Sequence, residues 1–330
     1  MSGTGIGSMP GEDFAETMRV VAGELPDFVA LPELPARGAP AGMIGRGAAL
    51  LAEIGVDLQP AGWRLTDAPG IDQRRARSLL ARDLDVFEEA LQGFEGRVKV
   101  QVPGPWTLAA SMERPRGDRV LADHGARREV AQSLAEGVRT HIADVRRRVP
   151  RAQLSVQVDE PSLVAVLGGK IPTASGFGRH RSIHKPEAQQ ALCEVVETIA
   201  GLDAVPVLHS CAAGLPVELI AGAGFQALGF DPAVVEQPDL DAYVRAFDGG
   251  LALWPGVVPS VEPGSERLTD ARLVERVRGF FSALGYEESS YGPELVVTPS
   301  CGLAGASPTW ARRALVLSRE VARHLNSERG

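Results

Sequence analysis

The chain has 330 residues, of which 44% are hydrophobic and 23% are charged, a composition typical of folded proteins rather than disordered ones. Its 42 acidic and 34 basic residues give a formal net charge of -8, which argues against binding nucleic acid by general electrostatic attraction. No apolar run is long enough to cross a bilayer, and residues 1–10 lack the basic and apolar regions of a secretory signal. Because there are only three cysteines, we expect no disulfide framework and a cytoplasmic protein. From the charge and the lack of a long apolar run, we expect neither nucleic-acid nor membrane partners.

Short apolar segments alternate with longer amphipathic ones, and this alternation predicts strands followed by helices. The predicted strands are Gly3–Ser8, Asp27–Glu33, Val98–Pro103, Leu154–Glu160, Val205–Ser210, Phe225–Asp231, Leu251–Val257 and Leu295–Ser300. The predicted helices are Asp72–Glu89, Asp123–Arg148, Pro186–Ile199, Pro216–Ala223, Asp270–Leu284 and Pro308–Leu325. Eight strand–helix units favour an α/β fold, a single (β/α)8 TIM barrel spanning residues 1–330, with a doubly wound open sheet as the alternative.

Chemically reactive residues lie at or directly after the ends of four of the predicted strands. These residues are Asp159 and Glu160, His209 and Cys211, Asp231, and Cys301. In a parallel barrel the carboxyl ends of the strands converge on one face, where barrel enzymes have their active sites. We therefore expect these side chains to surround one site at the mouth of the barrel.

The His-Ser-Cys sequence at one strand end indicates a metal site. His209 and Cys211 are two residues apart, so strand alternation directs both side chains to the same face. Cys301 from the last strand adds a second thiolate, and Asp231 can supply an oxygen. This set of ligands suits tetrahedral zinc, with an exchangeable position in a catalytic site. The alternative is a buried histidine with inert core cysteines.

Three further residues are candidates for substrate binding. Asp159 and Glu160 could bind an amine or move a proton, and because they are adjacent in a strand, only one should face the mouth. A surface loop at Pro161 is the alternative. Trp106 follows a predicted strand and could stack on a flat ligand, or it could pack beneath its own loop.

Five short motifs follow one another along the chain: Ile6-Gly7-Ser8-Met9-Pro10, Gly104-Pro105, Val156-Gln157-Val158-Asp159-Glu160-Pro161-Ser162-Leu163, His209-Ser210-Cys211 and Ser300-Cys301-Gly302-Leu303. In this order they resemble the C-terminal catalytic domain of cobalamin-independent methionine synthase, and the resemblance extends over nearly the whole chain. The same barrel superfamily includes uroporphyrinogen decarboxylase and the corrinoid-dependent methyltransferases.

The resemblance implies a zinc ion that binds the thiol of homocysteine. The ligands that it implies are His209, Cys211, Asp231 and Cys301. Asp231 stands where the family usually has a glutamate, a side chain one methylene longer. The residues that the resemblance assigns to the amino-acid substrate are Ile6, Gly7, Ser8 and Asp159.

The sequence departs from the family pattern at three points. We expect the second, N-terminal barrel of the full-length enzymes, which helps bind polyglutamylated folate, to be absent from these residues. The HGE-type motif that helps hold the substrate amine has no clear match, and residues 60–63 occupy about that place. The family's histidine proton donor should fall within residues 256–260, which contain no histidine.

The resemblance implies a zinc-dependent methyltransferase that forms methionine from homocysteine. The expected methyl donor is 5-methyltetrahydrofolate, as its polyglutamate, or a methylcorrinoid delivered by a corrinoid protein. Two alternatives remain open. One is a decarboxylase of the uroporphyrinogen type, which needs no metal but should have arginines at the mouth. The other is a non-catalytic, zinc-stabilised partner of a corrinoid protein.

Overall fold

The computed structural model describes residues 1–264 and 268–327. The strands are β1 (Ser2–Gly3), β2 (Phe28–Ala30), β3 (Gly55–Gln59), β4 (Gly62–Thr66), β5 (Arg97–Pro103), β6 (Gln153–Asp159), β7 (Val205–Ser210), β8 (Ala227–Phe230), β9 (Ala252–Val258) and β10 (Val296–Pro299). Within the described residues, eight of them form one parallel sheet in the order β1-β10-β9-β8-β7-β6-β5-β2. This circular order confirms the predicted (β/α)8 barrel and excludes the doubly wound sheet.

Helices surround this barrel. They are α1 (Phe14–Glu24), α2 (Met43–Leu50), α3 (Ile71–Ala90), α4 (Pro105–Ser111), α5 (His124–Arg148), α6 (Leu163–Leu167), α7 (Lys185–Ala200), α8 (Val217–Gly222), α9 (Leu240–Asp248), α10 (Asp270–Ala283) and α11 (Pro308–Ser327). All six predicted helices are present, with ends that agree within two residues. In the described part of the chain, no helix combines the length and apolar character that a membrane span requires.

The barrel is closed between β1 and β2 by a short contact rather than a full ladder. The predicted strand Gly3–Ser8 is a strand only at its start, because Gly7 has a φ of 140° and takes the backbone out of the extended conformation. Beyond it, Ser8 and Glu33 form an isolated parallel bridge. Met9 N donates to Glu33 O at 2.8 Å, and Glu33 N donates to Gly7 O at 3.0 Å. These bonds join the segment after β1 to the carboxyl end of β2.

An antiparallel hairpin that the sequence analysis missed lies outside the barrel sheet. Strands β3 and β4 pair from Gly55 with Thr66 to Gln59 with Gly62. Residues 60–63 therefore form the hairpin tip and the start of its second strand, and they do not end a barrel strand. The residues at about the place of the family's HGE-type motif thus belong to this hairpin.

Strand alternation gives the barrel an apolar outer surface and a partly polar interior. In β6, Val156 and Val158 join the main core shared with the helices, whereas Gln157 and Asp159 are buried on the opposite side of the strand. A separate small cluster fills part of the interior; its members are Phe28, Val207, Ala227, Trp254 and Val296. The polar side chains are therefore held within the barrel by apolar packing on both sides.

The packing of α5 against α2 depends on a glycine. Asp123 accepts a hydrogen bond from Ala126 N at the start of α5, which is a favourable N-cap. Gly137, in the middle of this helix, faces the end of α2 so closely that a methyl group there would overlap the carbonyl oxygen of Leu50. The two helices can approach this closely because residue 137 has no side chain.

We expect Gly137→Ala to lower the free energy of unfolding by about 1–3 kcal/mol. The methyl group would overlap a rigid backbone atom, and this destabilisation exceeds the gain from the higher helix propensity of alanine. Gly279→Ala in α10 is the matched control, since a methyl group there meets no atom within 4 Å. The control should be neutral or stabilising by up to about 1 kcal/mol. Urea unfolding measures both, and equal stability of Gly137→Ala and the wild type would contradict the close contact.

Candidate functional site

The register of two neighbouring strands places a carboxylate beside an imidazole. Asp159 of β6 pairs with His209 of β7, so the two side chains leave the sheet at the same level and on the same side. The distance from His209 Nδ1 to Asp159 Oδ1 is 2.7 Å, and both residues are buried. A carboxylate at this nitrogen orients the ring and directs the other nitrogen, Nε2, away from the strand contact.

The two cysteines that follow β7 and β10 meet at the mouth. The Sγ atoms of Cys211 and Cys301 are 2.8 Å apart, and both residues are partly buried. The hydrogen bond between the thiols lowers the pKa of Cys301, and the nearby His209 lowers it further. The same hydrogen bond, together with burial, raises the pKa of Cys211. Of the two thiols, Cys301 is therefore the one on which a negative charge is favoured.

These three residues fit a metal ion in their chemistry. His209 Nε2 is buried and has no hydrogen-bond partner among the described residues, which is costly unless a ligand uses it. Two thiols and an imidazole nitrogen are donors that zinc prefers. In residues 1–264 and 268–327, however, no three such side chains already converge to metal-binding distance. Holding an ion would therefore require the paired thiols to separate.

A cavity of about 250 Å³ contains this cluster. The cavity is lined by Ile6, Ser8, Glu33, Pro35, Ala41, Met43, Asp159, Pro161, His209, Ser210, Cys211, Cys301 and Gly302. Gly302 lies against the Ser8 side chain so closely that a methyl group would overlap it, and Leu303 N donates to Ser8 O at 2.8 Å. The Ile6–Ser8 and Cys301–Gly302 segments thus form adjoining walls of one cavity, as the motif order predicts.

Glu33 is a cavity residue that the sequence analysis missed. It follows β2, and its Oε1 lies 3.1 Å from Nε of the buried Arg46. Burial raises the pKa of Glu33, and the arginine opposes this effect. The signal was present in the sequence, because the predicted strand Asp27–Glu33 also ends in a carboxylate. This residue, rather than residues 60–63, occupies the end of the second barrel strand.

Asp231 caps its own turn, and it is not among the residues that line the thiol cavity. It follows β8, and its Oδ1 accepts a hydrogen bond from Ala233 N at 2.9 Å, where it caps a short 3-10 turn. It lines a second cavity of about 630 Å³ together with Arg276 and Phe280. Burial raises the pKa of Asp231. The predicted fourth ligand therefore has a local role as the cap of a turn, formed by one of its two carboxylate oxygens.

Glu160 and Trp106 belong to the wall behind the cavity rather than to its lining. Glu160 is fully buried, and its carboxylate accepts hydrogen bonds from Trp106 N at 2.8 Å and Thr107 N at 2.9 Å, at the start of α4. The hydroxyl of Thr107 donates a third bond at 2.7 Å. The Trp106 ring is buried, and its Nε1 donates to Ala188 O at 3.0 Å. Of the adjacent pair, Asp159 alone faces the mouth.

Comparisons with known proteins identify relatives of this barrel. A family model described as the catalytic domain of cobalamin-independent synthase matches residues 79–324. A B12-independent methionine synthase from Shewanella sp. W3-18-1, solved in complex with selenomethionine, is similar over 98% of this chain and 98% of that one, with a TM-score of 0.62 and 11% sequence identity. At this identity the likeness supports the fold.

A second solved structure, the carboxyl transferase domain of Rhizobium etli pyruvate carboxylase with 3-bromopyruvate, covers 74% of this chain and 43% of that one. Its TM-score is 0.26 and its sequence identity is 11%. No curated protein sequence matches the chain significantly.

We expect Glu160→Gln to lower the free energy of unfolding by about 1–3 kcal/mol at pH 8, because the amide must place an N–H group against a backbone N–H donor. Burial raises the pKa of Glu160 to about 7, despite the hydrogen bonds that lower it, so the wild-type side chain is mostly ionised at pH 8. Glu197→Gln on the exposed side of α7 is the control and should be neutral. Denaturant unfolding in which both variants match the wild type would contradict the structural role of Glu160.

Proposed function

The chain belongs to the family of cobalamin-independent synthase catalytic domains, and from this premise we propose that it transfers a methyl group to the thiol of homocysteine to form methionine. The observation that carries the proposal is the cavity that combines His209, Cys211 and Cys301 with two carboxylates. These groups offer a metal site for a thiol beside an anionic site for an amino group. The solved relative in complex with selenomethionine supports a substrate of this class. We propose that the barrel is a single catalytic domain.

His209, Cys211 and Cys301 are the proposed zinc ligands. His209 would bind through Nε2, since Nδ1 is already engaged by Asp159 at 2.7 Å. A histidine that binds zinc through one nitrogen commonly donates the other N–H to a carboxylate, and this pairing is present before any ion binds. Three protein ligands leave a fourth position for the substrate sulfur, which is the arrangement of catalytic rather than structural zinc.

The carboxylates of Glu33 and Asp159 form the proposed amino-group site. Both line the cavity, and Arg46 holds Glu33 from behind through a contact of 3.1 Å. An ammonium group placed between two carboxylates forms charge-assisted hydrogen bonds that a neutral analogue cannot form. Ser8 offers a hydroxyl group at the same cavity wall, next to Ile6 and Gly7. This arrangement would fix the substrate at one end and present its sulfur to the cysteines at the other.

The reaction requires a thiolate, because a free thiol has a pKa of about 8.5 and is a poor nucleophile when protonated. His209, Cys211 and Cys301 would hold a zinc ion whose positive charge would favour the deprotonated form of the substrate sulfur at neutral pH. The side chains of Cys211 and Cys301 keep the site electron-rich, which preserves the nucleophilicity of that sulfur. Glu33, Asp159 and Ser8 restrict its orientation, and orientation alone can contribute several kcal/mol to catalysis.

We propose 5-methyltetrahydrofolate as the methyl donor. The family's description as cobalamin-independent gives no support to the corrinoid protein that the sequence analysis considered as a partner. The decarboxylase alternative also loses support, because none of the described residues that line the thiol cavity is an arginine or a lysine. A polycarboxylate substrate would need such cations to balance its charge.

We expect the purified wild-type protein to contain about one zinc ion per chain and to form methionine from homocysteine and 5-methyltetrahydrofolate. Cys211→Ser and Cys301→Ser should each lose the metal and the methyl transfer, because a serine hydroxyl is a poor zinc ligand. Elemental analysis and chromatographic detection of methionine measure the two outcomes. Methylcobalamin, offered as the alternative donor, should give no product.

Cys193→Ser is the matched control, since Cys193 lies on α7 away from the cavity. It should retain both zinc and activity. Zinc-loaded wild-type protein that forms no methionine with either donor would refute the proposed reaction. Methionine formation by protein freed of metal would refute the role of zinc.

Asp231 is expected to contribute little to metal affinity in this chain, because its Oδ1 already caps the turn at Ala233. Asp231→Ala should change the zinc dissociation constant by less than about tenfold, below the 10–100-fold typical of residues that hold a ligand in place. Asp231→Glu should bind zinc at least as tightly, since the longer side chain can reach the thiols. Competitive zinc titration compares the three proteins, and a loss greater than about 100-fold in Asp231→Ala would make Asp231 a direct ligand.

A further inference from the structure

A lysine is buried inside the barrel beneath the thiol cavity. Lys99 of β5 is completely buried, and its Nζ donates to Ile6 O at 2.8 Å and to Gln157 Oε1 at 2.7 Å. Burying an ammonium group costs several kcal/mol unless its hydrogen bonds and charge are compensated. Aliphatic side chains would fill the barrel interior without this loss of stability, so we infer that the lysine near the site has a role beyond packing.

The orientation of the Gln157 amide is determined at both ends. Its Nε2 donates to Ile6 O at 3.0 Å and to Asp159 Oδ1 at 2.8 Å, and both of these atoms are acceptors. Its Oε1 faces the Lys99 ammonium, which is a donor. A flipped amide would place its nitrogen against the lysine and its oxygen against two acceptors. Lys99 therefore locks Gln157 with its N–H groups directed at Asp159.

The fixed orientation of the Gln157 amide determines which nitrogen of His209 carries a proton. Asp159 Oδ1 accepts from Gln157 Nε2 and lies 2.7 Å from His209 Nδ1. Because the carboxylate oxygen only accepts, His209 must carry its proton on Nδ1 in this contact. In the neutral ring Nε2 then has a free lone pair, and that atom has no hydrogen-bond partner among the described residues.

We propose that Lys99 is a positioning residue which, through Gln157 and Asp159, holds His209 in the tautomer that leaves Nε2 free to bind a metal. The chain of contacts runs from the barrel interior to the proposed zinc ligand without touching the ion or the substrate. The same ammonium and the same amide both bind the carbonyl oxygen of Ile6. Lys99 thereby ties the segment that begins the substrate wall to the metal-binding histidine. The metal-binding part of this inference rests on the proposed function.

The charges around Lys99 support this role. Burial lowers the pKa of Lys99 to about 7, and the nearby carboxylates of Asp159 and Glu33 act in the opposite direction. The two carboxylates thus favour the charged form of Lys99, and that form offsets part of their negative charge. An apolar residue at position 99 would leave Asp159 with less compensation and Gln157 free to turn.

The test compares Lys99→Met with the wild type in metal-free protein labelled with 15N. Two-bond couplings between ring protons and nitrogens report the tautomer of His209 directly. The wild type should show the Nδ1–H form, whereas Lys99→Met should show a mixture with the Nε2–H form. We also expect the zinc dissociation constant of Lys99→Met to rise about tenfold, the lower end of the range for groups that orient a metal-binding histidine.

Two further variants make the test decisive. Lys185→Met removes an exposed lysine at the start of α7 and should change neither measurement.

Gln157→Glu keeps the size of the side chain and an acceptor for Lys99, but it has no N–H group for Asp159. This variant should therefore show the tautomer mixture even if Lys99→Met does not fold. An unchanged tautomer and zinc affinity in the folded variants would overturn the proposal. A wild type that binds no zinc would instead refute the proposed function, and the tautomer measurement would still decide the role of Lys99.

Discussion

The pairing of Asp159 with His209 across two parallel strands is the contact on which the site depends. The register of β6 and β7 sets both residues at one level, and alternation directs both into the barrel. A shift of one residue in either strand would turn one of them toward the surrounding helices and separate the pair. Because seven-residue ladders between β5 and β6 and five paired residues between β6 and β7 fix this register, the orientation of the histidine is a property of the sheet.

The interior of the barrel combines polar function with apolar support. Arg97 lies at the entrance of β5, where its guanidinium group stacks on the Phe28 ring at 4.1 Å. Above this apolar layer, Lys99 and Gln157 form hydrogen bonds to each other and to the carbonyl oxygen of Ile6. A buried polar network of this kind is rigid, because a rearrangement would leave buried donors and acceptors unpaired. Burying these polar groups lowers the stability of the fold, but it fixes the geometry of the side chains at the mouth.

The sequence was sufficient to predict the barrel because strand and helix periods are local signals. It was also sufficient to predict that His209, Cys211 and Cys301 lie close together. The carboxyl ends of parallel barrel strands converge on one face, independently of the conformations of the loops. It could not predict the hairpin formed by β3 and β4, whose short strands pair with each other and not with the barrel. Nor could it reveal that Asp231 caps its own turn, because the short carboxylate side chain of aspartate can accept from a backbone N–H group two residues away or face a ligand.

The adjacent carboxylates of Asp159 and Glu160 have different roles, one at the cavity and one in the scaffold. Sequence alternation already predicts that one of the two faces the mouth, but the partner of the other depends on tertiary contacts. Gly104 allows the start of α4 to approach so closely that a side chain there would overlap the Glu160 carboxylate. The backbone N–H groups at the start of α4 then surround that carboxylate and remove it from substrate binding. The motif around residue 160 therefore contains one residue for the site and one for the scaffold.

Charge balance links the cavity to its supporting residues. Arg46 faces Glu33, and Lys99 lies near Asp159, so each carboxylate of the cavity has a buried basic side chain behind it. No lysine or arginine lies beside the two thiols among the described residues that line the cavity. In the proposed function, a divalent cation would balance the charge of the two thiolates and so reduce the cost of burying them. The carboxylates would then be available for an amino group, while the cysteines would hold the metal.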